Sequence, residues 1–369
     1  MTGVGGDELS PEIQRRLAHL AARAVELGSL APERLATMLT AEVGQTPSTV
    51  VYEENALELH RYEPAKREHG TPILIVYALV NRPYILDLQP DRSVVRRLLE
   101  AGFEVYLVDW GEPSRLDASL GLADYVCRYL DNCVAAVCDR AAVDDVHLLG
   151  YCMGGSLSIM YAALFAERVR TLALMATPVV FDETGGLLER WGMRYDPAAV
   201  AGTYGNVPAE LLAAQFAMME PVENLLGKYV AFFENLDDEA FVELFARMER
   251  WTWDGVDVAG RAFVEFVEEV YQQDRLLAGE ITLAGERVEP ATIDVPLLQI
   301  LGAHDHIVPP TSSRPLNDAV ASTDERLIEF PAGHVGISVS GRAHAELWPD
   351  VCDWLADRSE PPDGRDAER

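Results

Sequence analysis

Apolar residues near the start of the chain recur at helical spacing, at Ile13, Leu17, Leu20, Ala24 and Leu27. Ser10 followed by Pro11 supplies a helix start signal, so a helix is predicted over 10–27 and a second over 32–42. Between 49 and 62 the pattern shortens to a hairpin, with its turn expected at 53–55. From 73 onward, short apolar runs alternate with helical stretches. Strands are predicted at 73–77, 103–109, 146–150, 171–176, 297–301 and 327–330. Helices are predicted at 93–101, 125–140, 154–167 and 343–356. Strands of about five residues separated by helices imply βαβ units, a mainly parallel sheet and right-handed crossovers. Residues 179–290 break this rhythm and read as a helical cap inserted over the C-terminal edge of the sheet. The expected organisation is N-terminal helices at 1–48, an α/β core at 49–178 and 291–357, the cap at 179–290, and an acidic, disordered tail at 358–369.

Charge narrows the function classes. Thirty basic against sixty acidic residues leave a net charge of −30. That excludes the basic footprint of a nucleic-acid binder and electrostatic docking to anionic lipid. No apolar run reaches the roughly 18 residues of a membrane-spanning helix, and the first residues do not read as a secretory leader. Five cysteines, an odd and low number for the length, form no disulfide framework and no CxxC zinc pair, which points to a reducing cytoplasm. Only Lys66 and Lys228 are lysines, against 28 arginines. An acidic, Lys-poor surface suits a protein kept soluble in high salt, where screening cancels self-repulsion.

The sharpest chemical signal is Gly150-Tyr151-Cys152-Met153-Gly154-Gly155, placed after a predicted strand and before a predicted helix. This is the G-x-nucleophile-x-G elbow of the α/β hydrolases, with Cys in place of Ser. The tight turn demands both glycines of the motif. It projects the thiol at a helix N-terminus, where the dipole favours thiolate, and it aims the Met153 N–H at a developing oxyanion. A nucleophile needs a base, and the base an orienter, in the chain order nucleophile, acid, His. Asp305 follows the 297–301 strand and His334 follows the 327–330 strand, both at the face where an open α/β sheet builds its site. The expected catalytic set is therefore Cys152, Asp305 and His334, with His306 as an auxiliary or alternative base. His304, Asp305 and His306 lie too close along one loop to converge on a metal, so no metal site is expected. Cys127, Cys133 and Cys138 share one helix at spacings that suit core packing.

Further blocks extend the pattern. Residues 75–89 read IVYALVNRPYILDLQ, followed by Asp91-Arg92-Ser93, Asp109-Trp110-Gly111 and Asp124-Tyr125. Around the acid and base stand Asp305-His306-Ile307-Val308-Pro309 and Gly333-His334-Val335-Gly336. In these blocks, across 50–180 and 291–340, the chain resembles the polyhydroxyalkanoate synthases, and by length the class III catalytic subunit, in a halophilic, haloarchaeal-type form. Tyr151 and Met153 stand where class III elbows often carry Val and Gln, which leaves chain-length preference open. The resemblance implies an α/β-hydrolase fold and an acyltransferase that polymerises (R)-3-hydroxyacyl-CoA, with 3-hydroxybutyryl-CoA the expected substrate. It implies a cysteine-bound thioester and an oxyanion hole from the N–H groups of Met153 and Val80. Coenzyme A is part of the substrate and leaves as a product, and no cofactor is expected. The implied partners are a second class III subunit, a second copy of the chain, and a polyester granule in the cytoplasm. Residues that contact CoA are unassigned, although Arg82, Arg92, Arg96 and Arg97 lie near the signature block. A cysteine hydrolase (thioesterase or intracellular depolymerase) and an inactive granule-associated paralogue remain as alternatives, because one fold hosts many functions.

Overall fold

The computed structural model describes residues 37, 40–181, 191–219 and 226–362. Eight strands form one sheet: β1 (Thr49–Glu54), β2 (Leu57–Tyr62), β3 (Ile73–Val76), β4 (Val105–Asp109), β5 (Val146–Tyr151), β6 (Val169–Met175), β7 (Leu297–Gly302) and β8 (Glu325–Phe330). Their spatial order is β1-β2-β4-β3-β5-β6-β7-β8. Only β2 runs against its neighbours; every pairing from β4 to β8 is parallel. The central strands are buried on both faces, which is why β3 reads as Ile-Leu-Ile-Val without alternation. Each such side chain contributes about 1.5–3 kcal/mol through its removal from water.

The core includes the helices α1 (Val94–Glu100), α2 (Asp131–Ala141), α3 (Met153–Leu164) and α4 (Trp348–Ala356). The chain leaves β3 in one direction across the sheet to reach β4, and leaves β5 in the opposite direction to reach β6. With right-handed crossovers, α1 and α3 then lie on opposite faces. The reversal opens a crevice at the C-terminal ends of β3 and β5, the switch point where such sheets bind ligands. Ser93 caps α1 by accepting the Arg96 N–H at 3.0 Å. Its hydroxyl also donates to buried Asp87 at 2.6 Å, and Asp87 accepts the Thr46 N–H and hydroxyl at 2.9 and 2.6 Å. One carboxylate thus fastens the segment before β1 to the core.

Several expectations are revised. The hairpin turns at Asn55 and Ala56, a little later than expected, with Asn55 at φ 55°. The helix expected at 125–140 is continuous in course but opens to wider turns at Tyr125–Leu130 before α2. The expected helix at 10–27 lies outside the described residues, as does most of that at 32–42. The stretch expected to be the cap, 179–290, is shared between two compact units. The chain divides into two compact units, Met1–Glu42 with Ala213–Trp253, and Val43–Leu212 with Asp254–Arg369. In the larger unit, the Ala262 N–H donates to Leu120 O at 2.9 Å and the Leu122 N–H to Glu265 at 2.7 Å. Asn206 Nδ2 donates to Pro113 O at 2.9 Å. These bonds make parts of the expected cap integral to the core. Within the smaller unit, Phe232, Leu236 and Val242 form an apolar cluster, and Lys228 and Tyr229 both bond Glu249. The tail is ordered as far as the described residues reach. Arg358 pairs with Asp324, the Ser359 hydroxyl meets His147 Nε2 at 2.7 Å, and the Gly70 N–H donates to Glu360 O at 2.6 Å.

Candidate active site

Cys152 sits between β5 and α3 at φ 53°, ψ −127°. A non-glycine residue held there costs on the order of 1–3 kcal/mol, a strain that recurs at functional sites. The surroundings explain how it persists. The Cys152 N–H donates to Met175 O at 2.9 Å, and the Gly155 N–H donates to Cys152 O at 2.9 Å. The glycines permit the approach. A Cβ on Gly154 would stand 2.2 Å from Val76 O and 2.5 Å from Tyr77 O, and one on Gly150 would stand 2.5 Å from Gly155 Cα. The start of α3 is therefore pressed against the loop that follows β3. That loop is fixed from its other side, where Trp110 Nε1 donates to Tyr77 O at 2.8 Å. Met153 is the first residue of α3, where N–H groups have no partner within the helix. Val80 lies three residues beyond Tyr77 on the opposing loop.

Asp305 and His334 project from neighbouring loops at the C-terminal ends of β7 and β8. The loops are sewn together, with the Ala303 N–H donating to Phe330 O at 2.7 Å and the His304 N–H to Ala332 O at 3.0 Å. His334 Nδ1 bonds Asp305 Oδ2 at 2.7 Å. Asp305 Oδ1 accepts the N–H groups of Ile307 and Val308 at 2.9 and 2.8 Å. The carboxylate is thereby oriented on both oxygens, and its side chain is fully buried. Burial opposes a charge on His334, but the Asp305 carboxylate, followed by the Cys152 sulfur and hydrogen bonds to both, raises its proton affinity well above the ordinary imidazole range. With Nδ1 committed to Asp305, Nε2 is the atom available to the thiol. The structure thus brings Cys152, Asp305 and His334 together. His306 is exposed, and the buried bond of Asp305 goes to His334 instead.

Two tyrosines take places near the triad that the sequence did not assign them. Tyr151 lies against the His334 ring. Tyr271 stacks on Phe181 with centroids 3.6 Å apart, and its hydroxyl is pushed far above its ordinary value, first by burial and then by the nearby Cys152 sulfur. Tyr151 stands in the elbow motif as a departure from the family pattern, with nothing in the sequence to tie it to His334, and Tyr271 stands well outside the strand-end blocks. Burial raises the thiols of Cys133, Cys138 and Cys352, as suits packed cysteines. The signature arginines are engaged locally. Arg82 pairs with Glu112 and Asp254, Arg92 with Asp91 and Arg97 with Glu100, while Arg96 donates to Thr46. No cluster of three metal-ligating side chains occurs among the described residues, and none of their helices is long and apolar enough to cross a membrane.

Residues 71–339 match the family model described as alpha/beta hydrolase fold, and residues 3–98 that of the poly-beta-hydroxybutyrate polymerase (PhaC) N-terminus. A putative non-heme bromoperoxidase from Mycobacterium tuberculosis covers 84% of this chain and 98% of its own, at TM-score 0.52 and 16% identity, a likeness of fold alone. Among relatives, the poly(3-hydroxyalkanoate) polymerase subunit PhaC of Haloferax mediterranei is 56% identical over 95% of this chain and 72% of its own length. That of Haloarcula marismortui is 54% identical over 94% and 75%, and that of Allochromatium vinosum 42% over 88% and 93%. With this elbow, this sheet and these relatives, the chain belongs to the poly(3-hydroxyalkanoate) polymerases, acyltransferases built on the α/β-hydrolase fold.

Proposed function

We propose that the chain polymerises (R)-3-hydroxyacyl-CoA, with 3-hydroxybutyryl-CoA as substrate, through a thioester on Cys152. The observation that carries this is the buried Asp305–His334 pair set against a strained cysteine in a polymerase family. His334 Nε2 takes the Cys152 proton, and Sγ attacks the acyl-CoA carbonyl. The oxyanion is held by the N–H groups of Met153 and Val80. The C–S bond to CoA breaks, and His334 returns its proton to the departing thiolate. A thiol displaces a thiol, so this exchange is close to balanced. The 3-hydroxyl of one hydroxyacyl unit then attacks the thioester of another. Its proton passes to His334, a C–O bond forms, and the displaced thiolate recovers the proton. Asp305 keeps Nδ1 protonated throughout and stabilises the imidazolium. CoA enters as part of the substrate, and these steps call for no cofactor.

The resemblance to class III synthases also supports a second, smaller subunit, self-association of this chain, and residence at cytoplasmic polyester granules. The test is product analysis after incubation with (R)-3-hydroxybutyryl-CoA in multimolar KCl, with the partner subunit supplied. Polyester supports the polymerase reading. Free 3-hydroxybutyrate with no polyester moves the activity to a thioesterase.

A further inference from the structure

Tyr151 closes β5 and immediately precedes the nucleophile. Only 2% of its surface is exposed. Its ring stacks on the His334 imidazole, with centroids 5.3 Å apart and planes inclined by 25°. Its hydroxyl donates to the His334 carbonyl at 3.2 Å. Tyr77, from the loop after β3, packs on the same tyrosine at 5.6 Å. Burial keeps the Tyr151 hydroxyl protonated, so it remains a donor.

These contacts complement that of Asp305. A hydrogen bond to Nδ1 fixes the imidazole within its own plane. It leaves the ring free to swing about the Nδ1···Oδ2 line, because that line is a pivot. A flat ring packed on the imidazole face blocks the swing, and a bond to the His334 carbonyl holds the backbone from which the ring hangs. A small aliphatic side chain at this position offers neither restraint.

We propose that Tyr151 is a positioning residue that acts through His334. Its ring and hydroxyl together hold Nε2 facing the Cys152 thiol. The proposal rests on the reading of Cys152 as nucleophile and His334 as base. It adds that the residue inside the elbow motif orients the base as well as shaping the turn.

The test uses Tyr151→Phe, which keeps the ring and loses the hydroxyl, and Tyr151→Leu, which loses both. One readout is CoA release from (R)-3-hydroxybutyryl-CoA, separated into kcat and KM. The other is the rate of iodoacetamide alkylation of the Cys152 peptide against pH, which requires no acyl substrate. Misplacement of a catalytic group by about 1 Å costs on the order of 10²-fold, so Tyr151→Leu should lose roughly that much in kcat at unchanged KM. Its alkylation curve should move to higher pH as the imidazolium no longer faces the sulfur. Tyr151→Phe, losing one neutral hydrogen bond, should lose about 3- to 10-fold in kcat. A role in packing alone lowers the melting temperature but leaves the alkylation curve in place. A folded Tyr151→Leu protein with wild-type kcat and a superimposable curve overturns the proposal. Where Tyr151→Leu does not fold, Tyr151→Phe decides, and wild-type kcat and curve there overturn it. Cys152→Ala runs alongside. Retained turnover in that variant refutes the nucleophile, a failure distinct from that of Tyr151.

Discussion

Replacing Asp305 by Asn changes one charge and almost no volume. Oδ1 of the wild-type carboxylate serves the N–H groups of Ile307 and Val308, and the Asn carbonyl can go on serving both. The amide NH2 must then face His334 Nδ1, where Oδ2 accepted at 2.7 Å. An amide nitrogen only donates, so Nδ1 becomes an acceptor and the ring proton moves to Nε2. Nε2 then points a proton at the thiol and cannot receive one. Loss of the charge-assisted bond is worth about 1.5–3 kcal/mol, or roughly 10- to 150-fold. Loss of a correctly placed base is worth about 10²–10⁴-fold. We expect kcat to fall by ~10³-fold, between those bounds, with KM little changed. The assay is chromatographic detection of CoA released from (R)-3-hydroxybutyryl-CoA in multimolar KCl, with circular dichroism to show that the variant is folded. A folded Asn variant within about threefold of wild type refutes the reasoning, since no base oriented by Asp305 would then be needed.

Other consequences can be checked separately. Gly154→Ala sets a Cβ 2.2 Å from Val76 O, backbone that cannot give way. The expected loss is about 3 kcal/mol or more, seen as a collapse of soluble yield or melting temperature, and a melting curve like that of wild type contradicts it. Burial, reinforced by Arg170, pulls the His147 imidazole down to about 3. The unfolded chain therefore binds a proton below about pH 6.5 that the folded chain refuses, and stability falls with falling pH by up to about 1.4 kcal/mol per unit. His147→Gln should flatten that slope in urea titrations between about pH 7 and pH 4, whereas parallel slopes count against it. His334 has the opposite sign, because its raised affinity stabilises the fold below about pH 6.5 and is lost as pH rises. A net charge of −30 implies that stability climbs steeply with salt, since the screening length shrinks to about 3 Å at 1 M. A melting temperature indifferent to KCl contradicts that.

Much of the core was legible because buried parallel strands write themselves as short apolar runs. Ile73–Val76 appears as an unbroken apolar run and Leu297–Gly302 as one interrupted only by Gln299, and their ends locate the loops that carry chemistry. The elbow was legible because its glycines answer to backbone contacts a few residues away. Asp305 and His334 were legible because each follows directly from a strand end. What escaped depends on distant neighbours. Tyr151 meets His334 across 183 positions, and Tyr271 reaches Cys152 only through the packing of 254–290 onto the core. Residues 179–290 read as a separate cap because helical periodicity reports a buried face without reporting what buries it. The tail read as disordered from its charge, yet Arg358 and Glu360 find the partners Asp324 and Arg170 on the surface of the core.

The most direct test of the account is to trap the acylated enzyme. Wild type and Cys152→Ala would be mixed rapidly with (R)-3-hydroxybutyryl-CoA, quenched in acid, digested and weighed by mass spectrometry. The account predicts one or more 3-hydroxybutyryl groups on the peptide that contains Cys152, released by hydroxylamine as a thioester is, and none in the Ala variant. Acylation at another residue, or CoA release by Cys152→Ala at the wild-type rate, contradicts it.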